Sequence, residues 1–271
     1  IVGGLNHVWG YGRSLALVRE IRQQFPEIYI KAFTAVEIDW FARSEGMSVA
    51  AVLDAFFAVG LNGMPGGGAE IFARRMRDLT CPEKLSPEGW LKVHQIAHGY
   101  GLITNATMLY GCGETWRERI EHLLVLRAAQ DESHGFSCFI PLACQPGHLH
   151  EMEFPGATVT ESLIVTALAR LILDNIDHIK AYWPMLGLAC AATALSWGAD
   201  DLDGTLGRER IAHAAGATSP AALCRTDMAE TIRAGGYVPA ERNGRFEILP
   251  TVDADAEQDE EAPLAGPGDE L

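Results

Sequence analysis

The sequence predicts an α/β protein whose strands run parallel. Three observations lead there: apolar stretches of helical period alternate with short runs rich in β-branched and aromatic residues, the helical stretches are long enough to cross from one strand to the next, and the middle strand-like run is apolar almost throughout. Right-handed crossovers wind such units into a barrel or an open doubly wound sheet, and the pattern leaves both open.

Taken in order, Leu17, Val18, Ile21 and Phe25 recur at helical spacing up to Pro26, which predicts a helix of about three turns. Ile28 to Thr34 has the composition of a strand, and the stretch through Trp40 and Phe41 that of a helix. A helix over Val49 to Val59 and a short strand near Leu61 to Met64 follow, and the turn Pro65-Gly66-Gly67-Gly68 is expected to open a helix at Ala69. Ser86-Pro87 supplies an N-cap and a first-turn proline for the next helix. Leu102 to Thr107 reads as a strand, Trp116, Ile120, Leu123 and Leu124 mark a helix, and Phe136 to Leu142 reads as a strand buried on both faces. Ile164 to Ile172 gives the next helix and His178 to Tyr182 the next strand. Beyond Pro184 helices dominate, with Ser219-Pro220 as a second N-cap and short strand-like pieces near Val238 and Ile248. The expected organisation is a core over residues 1–183, a helical cap over 184–250 and an acidic, disordered tail over 251–271.

A chain of 271 residues suffices for one large core. It lacks the roughly 18 uninterrupted apolar residues of a membrane helix, so no membrane association is expected. A net charge of −15 argues against binding nucleic acid, which needs clustered lysine and arginine to release counterions. Eight acidic residues and no base fall between Thr251 and Leu271, leaving −7 for the rest, as in a solvating appendage. The six cysteines show no C-x-x-C pair and no signal-peptide pattern precedes them, so a cytoplasmic protein is expected. Ile1-Val2-Gly3-Gly4 looks like a strand end entering a glycine turn, which predicts further chain upstream in the gene product.

In parallel α/β architectures chemistry sits beyond the carboxyl ends of the strands. Six segments qualify: Gly3-Gly4, Thr34 to Glu37, Pro65 to Glu70, Asn105 to Glu114, Pro141 to Cys144 and Lys180 to Trp183. Gly66, Gly67 and Gly68 let backbone approach a ligand and offer helix N–H groups to an anion, though a plain tight turn explains them as well. Asn105, Thr107 and Glu114 carry groups that bind adenine, ribose hydroxyls or an amino group, unless Glu114 and Thr115 simply cap a helix. Asp200, Asp201 and Asp203 form either a site for a cation or ribose hydroxyls, or a solvated turn. His94 and His98 have the i, i+4 spacing of a zinc pair, but Gln95 stands where a hydrolase needs its glutamate, and His148 and His150 have no third ligand nearby.

Five strings carry a family resemblance: Ile30-Lys-Ala-Phe-Thr-Ala-Val-Glu-Ile38, Pro65-Gly-Gly-Gly-Ala-Glu-Ile-Phe72, Asn105-Ala-Thr-Met-Leu-Tyr-Gly111 with Glu114-Thr115, Asp177-His-Ile-Lys-Ala-Tyr-Trp183, and Gly198-Ala-Asp-Asp-Leu-Asp-Gly-Thr205. With them the sequence resembles the aminofutalosine synthases of the radical S-adenosylmethionine superfamily over nearly all of residues 3–249. The resemblance implies a partial TIM-type (β/α) parallel barrel with a helical carboxy-terminal extension, its first strand or strands lying upstream. It implies a [4Fe-4S] cluster and S-adenosyl-L-methionine as cofactors, and an electron donor such as flavodoxin or ferredoxin. The implied reaction adds the 5′-deoxyadenosyl group to the enolpyruvyl double bond of 3-[(1-carboxyvinyl)oxy]benzoate, giving 6-amino-6-deoxyfutalosine in the futalosine pathway of menaquinone biosynthesis.

Carried over by position, Gly3-Gly4 meets the methionine amino group, while Thr34, Gly66, Gly67, Gly68, Glu70, Asn105 and Thr107 face the methionine moiety and ribose. Thr107 through Gly111 to Glu114 resembles the adenine side. Lys180 is the expected partner of the substrate carboxylates, and Asp200, Asp201 and Asp203 of ribose hydroxyls. The family's C-x-x-x-C-x-x-C cluster motif is expected upstream of Ile1, so no metal ligand is assigned within the chain. Cys112-Gly113 stands where relatives usually carry a histidine and an apolar residue, and the Cys144 to Met152 loop also departs from the family pattern. Sister enzymes with the same glycine and barrel pattern, the dehypoxanthine futalosine cyclase and a deazaflavin-cofactor synthase subunit, are the alternative reactions, and the Lys31 to Glu37 string favours the synthase. A cluster-less barrel acting as a binding protein is the alternative of another class.

Overall fold

The computed structural model describes residues 1–149, 152–205, 214, 216–220 and 222–250. Helix α1 (Gly10–Gln24) ends at Phe25, just before Pro26, and buries Ser14 and Val18. Helices α2 (Ala35–Glu45) and α3 (Val49–Ala58) follow, then β1 (Gly63–Met64), α4 (Arg74–Thr80), α5 (Pro87–Gly99), β2 (Ile103–Tyr110), α6 (Trp116–Ser133) and β3 (Phe136–Ala143). A hairpin of β4 (Gly147–Leu149) and β5 (Met152–Phe154) leads to α7 (Val159–Ile172), β6 (His178–Ile179), α8 (Trp183–Leu186), α9 (Leu188–Leu195) and α10 (Arg225–Ala234). No described helix is long and apolar enough to cross a membrane.

Caps explain several of these starts. Thr34, Thr115 and Thr158 each accept a hydrogen bond from the amide of a glutamate three residues on, whose carboxylate returns to the threonine amide. Ser86 caps α5 with Pro87 in its first turn, as expected.

The sheet has the order β1-β2-β3-β6, all parallel. Its edges continue in single bridges: Lys31 pairs with Gly63 and Lys180 with Asp201, both parallel. Ile1 extends it once more, its amino group donating to Lys31 O at 2.6 Å and its carbonyl accepting from Phe33 N at 2.9 Å. The ribs therefore succeed one another in chain order without reversal, which is the winding of a barrel; a doubly wound sheet reverses its order at a switch point. The molecule is a partial (β/α) barrel.

Period-2 alternation sorts the side chains. On β2, Thr104, Ala106, Met108 and Tyr110 turn outward to the helices and are fully buried, while Asn105, Thr107 and Leu109 turn to the inner face. A bulge between Thr104 and Asn105 skips Ser137, so that Phe136 packs outward on Trp90 and Cys138 points inward. The main core lies between sheet and helices, and a second cluster around Trp183, Ala191 and Ala194 lies under α8 and α9.

Four expectations are corrected. Only Lys31 of the Ile28 to Thr34 stretch is bridged, because Phe33 turns to a left-handed φ of 59° to deliver Thr34 as the cap of α2. No helix begins at Ala69: Glu70 adopts φ 47° and its carbonyl accepts from Leu109 N, committing this backbone to β2, and α4 starts at Arg74. No helix begins at Pro220 either, since the Ser219 hydroxyl donates to Pro184 O, and Cys224 caps α10 instead. The strand expected over His178 to Tyr182 is shorter than that: His178 and Ile179 pair with β3, Lys180 adds a single bridge to Asp201, and Trp183 already starts α8. Strand β2 runs three residues past its expected end. Near Val238 and Ile248 the pairing among the described residues is the antiparallel bridge Arg242 to Ile248. The tail 251–271 lies outside the described residues.

Candidate functional site

The residues expected to hold a cofactor meet at one end of the sheet. Glu37, buried on α2, accepts the Gly3 amide at 2.7 Å with one oxygen, and with the other the amide and hydroxyl of Thr34, each at 2.8 Å. The Gly3-Gly4 turn is thereby tied to the start of α2. Next along the rim, the glycine run lies flat on its neighbours. A Cβ on Gly66 would stand 2.5 Å from Asn105 O, and one on Gly67 2.9 Å from Thr34 Cγ2. The Thr107 hydroxyl donates to Gly66 O at 2.6 Å. Close approach of three ribs, as much as turning, requires these glycines.

At the end of β2, Glu114 accepts the amides of Gly111 at 2.7 Å and Cys112 at 2.9 Å, and Arg119 Nε donates to it at 2.6 Å. Its carboxylate is fully buried and holds the Gly111 to Glu114 loop; the capping expected of it falls to Thr115 with Glu118. Gly3, Gly4, Thr34, Gly66, Gly67, Gly68, Glu70, Gly111 and Glu114 thus follow the ends of four successive ribs, while Asn105 and Thr107 sit deeper, on the inner face of β2 as its third and fifth residues. Two non-glycine residues on this rim, Phe33 and Glu70, have left-handed backbone, as does Asp203 beyond the last rib, a strain of order 1–3 kcal/mol each. Lys84 holds Glu70 by an ion pair at 2.6 Å.

The floor of the inner face is charged. Lys180 Nζ lies 2.5 Å from Asp203 Oδ1 and 3.6 Å from Asp201 Oδ1. Arg242 grips Asp201 with two donors at 2.5 and 3.0 Å and stacks on Phe246, which stacks in turn on His178 at 4.1 Å. Gly244 passes the Tyr29 ring where a Cβ would come within 2.5 Å of it. The segment around 242–248 therefore covers the amino-terminal end of the barrel. Burial opposes the Lys180 charge, yet Asp203 and Asp201 hold its pKa above the ordinary value. Asp200 is engaged outside this group, with Arg170 at 2.7 Å and His178 at 2.6 Å. Lys180, Asp200, Asp201 and Asp203 all carry ion-pair partners, while the substrate carboxylates and ribose hydroxyls expected of them are a matter for proposal.

Lys31 was missed as a site residue. It sits inward at the next-to-first rib, with Nζ 3.1 Å from Asn105 Oδ1. Burial, then Lys180, lower its pKa to about 8. Its signal is alternation: between Ile30 and Ala32, both buried outward, a lysine must face inward. Arg242 had no such signal.

His94 and His98 are core histidines. Thr104 Oγ1 contacts His94 Nδ1 at 2.9 Å and His98 Nε2 at 2.8 Å, and both rings pack on Phe136. The Cys144 thiol donates to Gln145 O at 3.5 Å, and its closeness to Cys112, then burial, pushes the Cys112 thiol up. Among the described residues no three histidine, cysteine, aspartate or glutamate side chains converge to hold a metal, so these residues do not fit an iron–sulfur cluster. They do fit a nucleoside bearing an amino acid. Gly4 and Gly113 have positive φ with open space where a Cβ would be, leaving bare backbone for a ligand, and the Asn105 side-chain NH2 carries donors beyond the contact its oxygen makes with Lys31.

A family model described as the CofH/MqnC C-terminal region matches residues 133–254. The aminodeoxyfutalosine synthase of Thermus thermophilus is 45% identical over 238 residues, covering 86% of this chain and 63% of that protein. The aminodeoxyfutalosine synthase of Streptomyces coelicolor is 41% identical over 263 residues, covering 92% of this chain and 67% of that one. The cyclic dehypoxanthine futalosine synthase of the same organism is 38% identical over 229 residues, 84% of this chain and 57% of that protein. Among solved structures, methylornithine synthase superposes with a TM-score of 0.65 at 15% identity, covering 89% of this chain and 67% of that one, a likeness of fold. The chain thus spans just under two thirds of the Thermus relative.

Proposed function

The chain belongs to the CofH/MqnC family of radical S-adenosylmethionine proteins, and from that premise we propose that it is the barrel of an aminodeoxyfutalosine synthase. In this reading S-adenosyl-L-methionine, when bound, supplies a 5′-deoxyadenosyl group that is added to the enolpyruvyl carbon of 3-[(1-carboxyvinyl)oxy]benzoate. The product, after rearrangement and loss of bicarbonate, is 6-amino-6-deoxyfutalosine.

The chain's own residues bind and shield. Gly3-Gly4, held by Glu37, presents backbone to the methionine end. Asn105 and Thr107 face the methionine and ribose, and the Gly111 to Glu114 loop, its amides fixed by Glu114, lines the adenine side. Inward Ile140, level with Thr107, and Leu109 and Leu142, nearer the carboxyl ends, provide apolar walls that keep water from a reactive intermediate. The covered amino-terminal end serves the same purpose.

One observation carries the reading: segments more than a hundred residues apart, each resembling the synthases, converge on one rim of one sheet. The cyclase relative at 38% identity keeps a second reaction in view. Full-length protein, reconstituted anaerobically with iron and sulfide and supplied with reduced flavodoxin, is expected to convert the enolpyruvyl benzoate to aminofutalosine with release of methionine. Free 5′-deoxyadenosine as the main product would point to hydrogen abstraction and overturn the synthase reading.

A further inference from the structure

Among the described residues the floor of the barrel carries an uncompensated positive charge. Three cations reach it, Lys31, Lys180 and Arg242, against two carboxylates, Asp201 and Asp203. The carboxylates are spent on two of the three: Lys180 takes Asp203 and leans on Asp201, and Arg242 takes both oxygens of Asp201. Among the described residues Lys31 has no ion pair. Its ammonium donates to the neutral Asn105 amide oxygen and lies 5.9 Å over the Tyr29 ring.

An ammonium has three donors, and a buried one without a counter-charge is costly. Alternation fixes Lys31 inward, so its remaining donors point into the space above the floor. Asn105, the neighbour that bonds it, also belongs to the set that fits the nucleoside. Lys31 therefore lies where a carboxylate of a second ligand, seated on the inner face beside the nucleoside, would reach.

We propose that Lys31 is the residue that receives a carboxylate of the substrate, acting as the specificity-determining cation of the inner face, with Lys180 holding the floor together beneath it. The inference deepens the synthase reading and rests on it, since that reading supplies an aromatic dianion as substrate. A carboxylate at Lys31 completes the charge balance of the floor, and an uncharged analogue leaves the ammonium buried and unpaired.

The test is calorimetric binding to the full-length protein of 3-(carboxymethoxy)benzoate, a stable dianion, and of its neutral diamide. Wild type is expected to prefer the dianion, Lys31→Met to lose at least tenfold in dianion affinity with the diamide unchanged, and Lys31→Arg to keep most of the preference. Lys31→Met is also expected to melt no lower than wild type, because it removes a desolvated charge; a structural lysine would behave oppositely. Equal dianion binding by wild type and Lys31→Met, failure of wild type to bind the dianion, or a lowered melting temperature for Lys31→Met together with loss of both ligands would each overturn the assignment. Product analysis separates the two readings: a wild type that discriminates through Lys31 yet releases free 5′-deoxyadenosine refutes the synthase reaction and leaves the role of Lys31 standing.

Discussion

Replacing Glu114 by glutamine probes the piece of the rim on which the Gly111 to Glu114 loop depends. The carboxylate is wholly buried, beside an Arg119 that is itself almost completely buried, at 2.6 Å. Glutamine keeps the shape and one acceptor but removes the charge, and its NH2 group faces either a backbone amide or the guanidinium. Breaking a buried pair by removing one partner costs about 3–5 kcal/mol. Part is retained here, because Glu161 still lies 3.1 Å from Arg119 Nη2, so a loss of about 3 kcal/mol is expected. In a chain of this size each kcal/mol moves the melting temperature by roughly 2–4 °C, which places the Glu114→Gln transition about 6–12 °C low. Glu161→Gln is the control. Glu161 is 30% exposed and Arg119 keeps Glu114 without it, while glutamine preserves the capping box with Thr158; about 0–1 kcal/mol is expected. Thermal and urea unfolding of both variants, with Glu114→Gln/Arg119→Met as the double mutant, measures the coupling. The double mutant should be less destabilised than the sum of the singles. A Glu114→Gln variant within 1 kcal/mol of Glu161→Gln, on the scale of an exposed pair, would refute the claim that a buried ion pair holds the loop.

The remaining predictions concern packing and pH. Gly66→Ala is expected to cost about 1–3 kcal/mol by urea denaturation, and Gly67→Ala less, because the first Cβ meets the Asn105 backbone and the second only a threonine methyl; equal costs would contradict the close approach of the ribs. Burial lowers the pKa of His98 to about 4 and of His122 to about 3. The native state then refuses protons that the unfolded chain accepts near pH 6.5, so this stability is complete above pH 6.5 and is lost as pH falls toward 4 and then 3. Urea midpoints between pH 7 and 4.5 should decline, and His122→Asn should flatten the decline; a slope unchanged in that variant would show that other groups govern acid unfolding.

How much was legible in the sequence follows from the range of the forces involved. Ser86-Pro87 and the run of apolar residues at 136–142 announce their helix and strand because caps and periodicity act within a few residues. The threonine caps Thr34, Thr115 and Thr158 are local in the same way, each completed by a glutamate three residues on. The site glycines and Asn105, Thr107 and Glu114 could be named from their strings. What they do could not: Gly66 is required by Asn105 and Thr107, about forty residues away, and Glu114 turned from a cap into a loop anchor once Arg119 and two amides closed on it.

The same limit applies to the winding and to charge. Strand and helix alternation alone allowed a barrel or an open sheet, and only the pairing of Lys31 with Gly63 and of Lys180 with Asp201 showed ribs in unbroken chain order. By itself the sequence determined the α/β class, the family strings and the residues at the strand ends, since each is written in contiguous residues. Tertiary structure alone decided which lysine is paired: Asp201 and Asp203 reach Lys180 and not Lys31. Coulomb attraction depends on separation in space, and the chain sets that separation only when it closes the sheet.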